Sequence, residues 1–320
     1  MLTILRNNYS RMAKRLPSVL IMVIITLLSM ALAVYMTTQQ QMKGHIVLVT
    51  QSGAASTKSA HLDVTVLKKA PPDSALVRGQ YDAYVFDEGG GKYRIQTLRN
   101  AQFKALVQAL LANLHTPVPK QSGERGTGEN IIGFSMLFLL MGTFANLFTF
   151  GEDREQGQLS RIAVTPTSLG SYLAGHFMYA LTMFLPPFVL LVLLRAAGFS
   201  IGFSLAGYAL LFVALDVLGI SLALLLNTLF DKADNANMFG SSIVVFTTVL
   251  AGGFYANSQK NAVLDNIIRV LPQKELMAFA AHLENGTAWT HPGSLLYVFV
   301  FGAVLFVLAF FLLRRKVQNG

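Results

Sequence analysis

The chain has 320 residues, of which 53% are apolar and only 13% are charged, and its formal net charge is +9. This balance excludes an ordinary soluble domain and indicates a protein that crosses a membrane several times. Cysteine is absent, which excludes disulfides, thiolate metal sites and a cysteine nucleophile. The cations cluster at the ends of apolar segments, where headgroups and topology explain them better than nucleic acid does.

The first 17 residues predict an amphipathic helix that lies in the membrane interface. Its apolar residues recur at spacings of three and four, and its cations fall mostly on the other flank. The apolar set is Leu2, Leu5, Tyr9, Met12 and Leu16, and the basic set is Arg6, Arg11, Lys14 and Arg15. A disordered basic leader remains the alternative.

Six apolar segments have the length of about 20 residues that a hydrocarbon core of roughly 30 Å requires. The chain is therefore predicted to be an α-helical polytopic membrane protein with six transmembrane helices. We place them at Ser18–Met36, Asn130–Phe150, Leu169–Leu194, Phe203–Leu226, Met238–Tyr255 and Ser294–Leu313. The first span predicts an uncleaved signal anchor, although Ala31-Leu32-Ala33 resembles a cleavage site. Lysine and arginine favour the loops on the side of the N-terminus, which predicts two cytoplasmic termini.

Residues 37–128 predict a small extracellular α+β domain with a flexible tether. Alternating apolar residues predict strands at His45–Thr50, Leu62–Leu67, Tyr81–Phe86 and Tyr93–Thr97. A helix follows Asn100, with one apolar stripe made of Phe103, Leu106, Val107, Leu110, Leu111 and Leu114. The run Gly89-Gly90-Gly91-Lys92 is interpreted as a hairpin turn, because Phe86 and Tyr93 occupy positions that a phosphate loop requires to be Gly and Ser or Thr.

A charged segment at residues 151–168 lies between the second and third spans. We predict a short cytoplasmic helix in which Asp153 and Glu155 lie near the start, Arg161 lies near the end, and Pro166 stops it. Glu152 and Gln156, like Gly157 and Arg161, are four residues apart and would share a face. A rigid helix here is suited to receive force from a cytosolic partner. A solvated loop whose charges only set topology is the alternative.

This segment resembles the coupling segment of ABC-2-type transporter permeases. In that family an acidic, a basic and a Glu residue precede a Gly, an Arg follows four residues after the Gly, and a Thr-Pro or Ser-Pro pair comes next. The chain departs from the pattern at Gln158, where Thr is common, and at His176, where Lys often occurs. Gly252-Gly253-Phe254 and the later Leu271-Pro272 are also similar to the family's outer segment. The large insertion after the first span is similar to the subgroup with an extracellular domain.

The resemblance implies the membrane subunit of an ABC exporter that is not itself an enzyme. It implies a cytosolic ATPase subunit that binds ATP and Mg, a second identical or homologous permease, no cofactor or metal in this chain, and a bacterial plasma membrane. The implied cargo is amphipathic: a drug, an antimicrobial peptide, a natural product or a lipid. The implied ATPase-coupling residues are Glu152, Asp153, Arg154, Glu155, Gly157, Arg161 and Pro166. The implied domains are an elbow helix at 1–17, the coupling helix at 151–168, outer or re-entrant helices at 256–293, and a cytoplasmic tail at 314–320.

Several residues inside the predicted spans have functional and structural interpretations. Asp216 and His176 either line a translocation path or form hydrogen bonds that support packing. Pro186 and Pro187 predict a kink in the third span, and Gly133, Gly142 and Gly219 predict close helix approach. The aromatic and Met residues of the second span either line a conduit or pack.

Three other functions remain as alternatives. A receptor-like or signalling protein would use the extracellular domain to bind a ligand and would need no ATPase. An ion-coupled carrier would use Asp216, but no inverted repeat is evident in the sequence. An intramembrane enzyme is disfavoured, because the spans contain neither paired carboxylates nor a nucleophile with its base.

Overall fold

The computed structural model describes residues 2–41, 45–49, 57–59, 62–72, 74–87, 93–98, 103–104, 107–108, 125–163, 165, 168–254 and 262–319. They form two compact units. One consists of Met1–Val34 and Arg125–Gly320, and the other is Tyr35–Glu124.

The helices and strands are labelled in chain order. The helices are α1 (Leu2–Lys14), α2 (Leu16–Gln41), α3 (Ser74–Val77), α4 (Thr127–Glu155), α5 (Gln158–Ala163), α6 (Leu169–Leu181), α7 (Leu185–Ala196), α8 (Leu205–Leu229), α9 (Ala233–Leu250), α10 (Ala262–Arg269), α11 (Pro272–Glu284) and α12 (Gly293–Asn319). Two 3₁₀ turns occupy Thr182–Phe184 and Ala288–Thr290. The strands are β1 (His45–Val49), β2 (Thr57–Ser59), β3 (Leu62–Leu67), β4 (Ala83–Asp87) and β5 (Tyr93–Thr97).

Helix α8 lies at the centre of the helical unit and packs against α4, α6, α9 and α12. It is the most buried of the long apolar helices, and Leu211, Phe212, Leu215 and Ile220 are fully buried on it. Glycines such as Gly219 and Gly240 allow neighbouring helices to approach closely. A Cβ at Gly219 would lie 2.5 Å from Thr143 Oγ1, and one at Gly240 would overlap the Phe144 ring. The predicted close approach is therefore present at Gly219.

Within the described residues, four helices are long and apolar enough to cross a membrane. They are Thr127–Glu155, Leu169–Ala196, Leu205–Leu229 and Gly293–Gln318. A fifth span results if Leu2–Lys14 and Val19–Tyr35, which meet at 85°, are taken as one bent pair. The multi-pass prediction is supported, but the structure accounts for four or five of the six predicted spans.

The predicted span at Met238–Tyr255 differs most from the structure. Helix α9 begins earlier, at Ala233, and ends at Leu250. Its first turn holds Asp234 and two asparagines, which lowers its mean hydropathy, and Gly252 ends the helical region by adopting a φ of 81°. Its 18 residues are only just long enough to cross a hydrocarbon core.

The second unit contains a five-stranded mixed sheet in the order β2-β3-β1-β4-β5. Strand β1 pairs in parallel with β3 and β4, and the two outer pairs are antiparallel. Four of these strands lie where the alternation of the sequence predicts them, whereas β2 and the short helix α3 are not predicted. The antiparallel β4–β5 pair fits the predicted hairpin, whose turn at 88–92 lies outside the described residues.

Both faces of this sheet carry apolar contacts. Ile46, Val85 and Ile95 pack on one face with Phe103 and Val107, two members of the predicted helical stripe. Val47 and Tyr84 pack on the other face with Leu76 of α3. The other stripe residues, Leu106, Leu110, Leu111 and Leu114, and the tether up to Glu124 lie outside the described residues.

Candidate functional site

The charged residues after the second span belong to the end of that span's helix, which corrects the prediction of one separate helix over 151–168. Helix α4 continues through Glu155. Gly157 then adopts a φ of 70°, and its N–H bonds to the Arg154 carbonyl, as in a helix C-terminal cap. Asp153 and Glu155 therefore lie at the C-terminal end of a helix, where the dipole disfavours anions. Gly157 and Arg161 do not share one helical face.

Glu152 and Asp153 are neutralised by Arg11 of α1 and by Arg15, which directly follows that helix. Arg11 Nη1 lies 2.7 Å from Asp153 Oδ1, and Arg15 Nη2 lies 2.6 Å from Glu152 Oε1. Arg11 Nη2 also lies 3.4 Å from Glu152 Oε2. These two arginines were predicted to face headgroups, but the unfavourable dipole and the burial of Asp153 make the carboxylates a stronger attraction for them. The Asp153 side chain is only 5% exposed.

Three further polar residues complete this cluster, which we call the α1–α4 junction (Asn8, Arg11, Arg15, Glu152, Asp153, Tyr172 and His176). The Tyr172 hydroxyl donates to Asp153 Oδ2 at 3.1 Å. His176 is fully buried, and its Nδ1 lies 3.1 Å from Asn8 Nδ2. Its Nε2 lies 3.9 Å from Asp153 Oδ2. The structure therefore places His176 beside the predicted coupling residue Asp153 rather than alone in a span.

Arg154 and Glu155 point to a different pair of helices. Arg154 donates to the carbonyls of Thr228 and Phe230 at the C-terminal end of α8, and Lys316 Nζ reaches the Thr228 carbonyl at 2.8 Å. Glu155 Oε2 accepts a bond of 3.2 Å from the N–H of Ala233, the first residue of α9. Cations at a helix C-terminus and an anion at a helix N-terminus both suit the helix dipoles. Two adjacent side chains thus hold the α8–α9 turn.

The short helix α5 has a buried side and an exposed side. Leu159 is 5% exposed and Ile162 packs beside it in the core of the unit. Gln156, Gly157 and Arg161 are exposed. Arg161 is therefore placed where a partner could reach it. Pro166, the predicted end of the segment, lies outside the described residues.

The remaining predicted site residues lie away from this junction. Asp216 is fully buried on α8, and its carboxylate lies near the backbone of Phe184. The third span passes through the 3₁₀ turn Thr182–Phe184, and Pro186 and Pro187 lie in the first turn of α7 directly after it. A proline there needs no helical N–H bond, so it suits a newly started helix. Within the described residues, no group of three or more His, Asp or Glu could hold a metal ion.

The sequence indicates the charged residues at 152–155, but it does not indicate the side chains that bind them or their neighbours. Asn8, Tyr172 and Lys316 carry no pattern that assigns them to residues 152–155, because the contacts join positions far apart in the chain. One signal was available for Arg11 and Arg15. Two adjacent acids at the end of an apolar helix require cations, and the N-terminal leader is the basic segment nearest to that side of the predicted membrane.

Comparison with known proteins identifies the family. None of the curated proteins matches this chain. A family model described as "ABC-2 family transporter protein" matches residues 56–311. The match includes the charged end of α4 and, among the four described helices that are long enough to span a membrane, three completely and the fourth up to Phe311. The chain belongs to the ABC-2 family of transporter proteins.

Proposed function

We propose that this chain is the membrane subunit of an ATP-driven exporter that moves amphipathic molecules out of the cell. The family makes it a membrane subunit of an ABC transport system, whose ATPase activity resides in a separate subunit. Export, an amphipathic cargo, an extracellular position for the second unit and a dimer of permeases are parts of the proposal. No observation favours the receptor-like alternative.

The end of α4 is the observation that carries the proposal. Within four residues it bonds to Arg11 of α1 through Glu152 and Asp153, to α6 through Asp153, and to the α8–α9 turn through Arg154 and Glu155. A displacement of this one helical turn is therefore transmitted to four helices by short polar contacts. An ATPase needs such a rigid element to move transmembrane helices.

The two sides of this region are assigned different roles. Arg161 and Gln156 are exposed beside the end of α4, so we assign them to the ATPase surface. Asp153 is buried and Glu155 bonds to the start of α9, so we assign them to transmission within the subunit. The substitution of Arg161 should affect association, whereas that of Glu155 should affect coupling.

Affinity purification from the native membrane in mild detergent tests the proposal. We expect a stoichiometric P-loop ATPase to co-purify with the wild-type chain. The variant Arg161→Ala should lower its recovery, and Glu155→Ala should retain the ATPase while losing transport-linked hydrolysis.

Arg195→Ala is the matched control, since Arg195 is an exposed arginine at the opposite end of the Leu169–Ala196 span. It should retain both association and hydrolysis. Purification of the intact wild-type chain alone, without ATPase activity, would contradict the proposal and would favour a receptor-like protein.

A further inference from the structure

A cavity of about 340 Å³ lies within the helical unit, next to the α1–α4 junction. On one side it is bordered by Val19, Met22, Val23 and Thr26, whose spacing places them on one face of α2. On the other side it is bordered by α4 at Gly142, Ala145 and Asn146. Its volume falls within the range of roughly 300–1,000 Å³ that is typical of sites for small molecules.

The cavity exists because α2 packs against the unit at only one end. Met30, Ala33 and Val34 of its second half are buried in the core. The first half borders the cavity instead, and Ile21 and Ile24 on its outer side are exposed. Gly142 shows the same gap from α4, because an added Cβ would meet no atom within 4 Å. The predicted close approach at Gly142 is absent, so two mostly apolar helix faces stand apart.

The polar residues of the cavity include a cation and an anion. Arg15 and Asp234 both line it, and Asn146 and Asn237 add amide groups. Arg15 also lies over the Phe148 ring, with its guanidinium carbon 5.4 Å from the ring centroid. A cavity with mainly apolar walls that is lined by one arginine and one carboxylate is complementary to a zwitterion with a hydrocarbon chain. A phosphate suits the arginine, and an ammonium group suits the carboxylate.

We infer that this cavity binds one zwitterionic phospholipid per chain, of the phosphoethanolamine headgroup class. An acyl chain fills the gap between α2 and α4, the phosphate pairs with Arg15, and the ammonium group pairs with Asp234. The lipid is a resident ligand of the subunit rather than its cargo, so the inference does not depend on the exported substrate or on the ATPase. Because Arg15 also binds Glu152, the headgroup lies beside the coupling residues.

Native mass spectrometry of the purified full chain tests the binding, with phosphatidylethanolamine and phosphatidylglycerol as probes. The variant Gly142→Leu fills the cavity without a backbone clash, whereas Gly170→Leu adds the same side chain at an open position on α6 that does not line the cavity. We expect one phosphatidylethanolamine retained per wild-type chain, a several-fold lower retention for Gly142→Leu, and wild-type retention for Gly170→Leu. Equal retention by all three proteins, or none by the wild type, would overturn the inference.

A charge reversal tests the headgroup independently of the cavity's volume. Asp234 is exposed, so Asp234→Lys should fold normally and should shift retention from phosphatidylethanolamine towards phosphatidylglycerol. An unchanged preference would contradict the assigned headgroup.

A second copy of the chain is the competing occupant of the gap. The wild-type chain has no cysteine, so Met22→Cys introduces a single reporter thiol into the cavity. Ile21→Cys, on the exposed side of α2, is the control. If disulfide-linked dimers form in membranes through Met22→Cys but not through Ile21→Cys, a second copy of the chain, and not a lipid, occupies the gap. We expect no such selective dimer.

Discussion

Asp153 illustrates how single residues are stabilised in this chain. Its carboxylate is almost completely buried at the C-terminal end of α4, which is unfavourable both for solvation and for the helix dipole. The Arg11 guanidinium and the Tyr172 hydroxyl compensate for this position by direct hydrogen bonds. The burial of the acid and the docking of α1 therefore depend on each other.

The variant Arg11→Gln tests that dependence. Removing the cation leaves Asp153 with one neutral donor, and we expect the free energy of unfolding to fall by about 2 kcal/mol. Thermal unfolding of the purified protein in detergent measures the change. Arg6→Gln, which alters an exposed arginine on the same helix, should have no effect. In the Asp153→Asn variant, adding Arg11→Gln should lower the free energy of unfolding by much less than it does in the wild type. If the losses of the two single variants simply add in the double variant, the two side chains do not form a direct pair.

Helix ends are the places where elements of this fold are joined. Arg154 and Lys316 bind carbonyls at the end of α8, while Glu155 binds an N–H at the start of α9. The turn between α8 and α9 is short, and the two helix ends leave backbone polar groups without partners inside their own helices. The charges of α4 and α12 supply the missing partners.

The variants Glu155→Ala and Glu155→Gln should differ at the start of α9. Alanine removes the acceptor of the Ala233 N–H and should destabilise the first turn by about 1 kcal/mol, while glutamine keeps an acceptor and loses only the charge. Hydrogen exchange of a peptide that covers residues 232–237 should be fastest in Glu155→Ala and intermediate in Glu155→Gln. Gln156→Ala, at an exposed neighbour, should exchange like the wild type. Equal exchange in all of these proteins would mean that Glu155 does not cap α9.

At the scale of the molecule, the number of spans depends on whether α9 crosses the membrane. Six spans with both termini on one side require α9 to cross the membrane. Lys232 then lies on one side, and the segment that follows α9, including Trp289, lies on the other. A chain in which α9 does not cross would place Lys232 and Trp289 on the same side.

Thiol labelling decides between these topologies. In intact cells, a membrane-impermeant maleimide should label Trp289→Cys, whereas Lys232→Cys and Gln318→Cys should react only after permeabilisation. Trp289, Lys232 and Gln318 are all exposed. The wild-type chain has no cysteine, so it serves as the unlabelled control. Equal behaviour of Lys232→Cys and Trp289→Cys in intact cells, whether both are labelled or both are protected, would contradict six spans.

The sequence by itself determined the features that depend on local composition and order. Apolar runs of span length indicated a polytopic membrane protein, and the pattern from Glu152 to Arg161 indicated the ABC-2 family, which the family model confirms. Period-2 alternation located four of the five strands in the described residues, because alternation is a local property. The short strand β2 and the parallel pairing of β1 depend on contacts distant in sequence, and local pattern does not encode them.

Only the tertiary structure decided what the charged residues do. The sequence placed Asp153 and Glu155 at the start of a helix, whereas Gly157 ends the preceding helix after them. Their partners on α1, α6 and α9 come from segments up to 142 residues away, as in the Arg11–Asp153 pair. The sequence indicates that acidic residues at the end of an apolar helix need cations nearby. Only the three-dimensional path of the chain determines which cation is near enough to bind them.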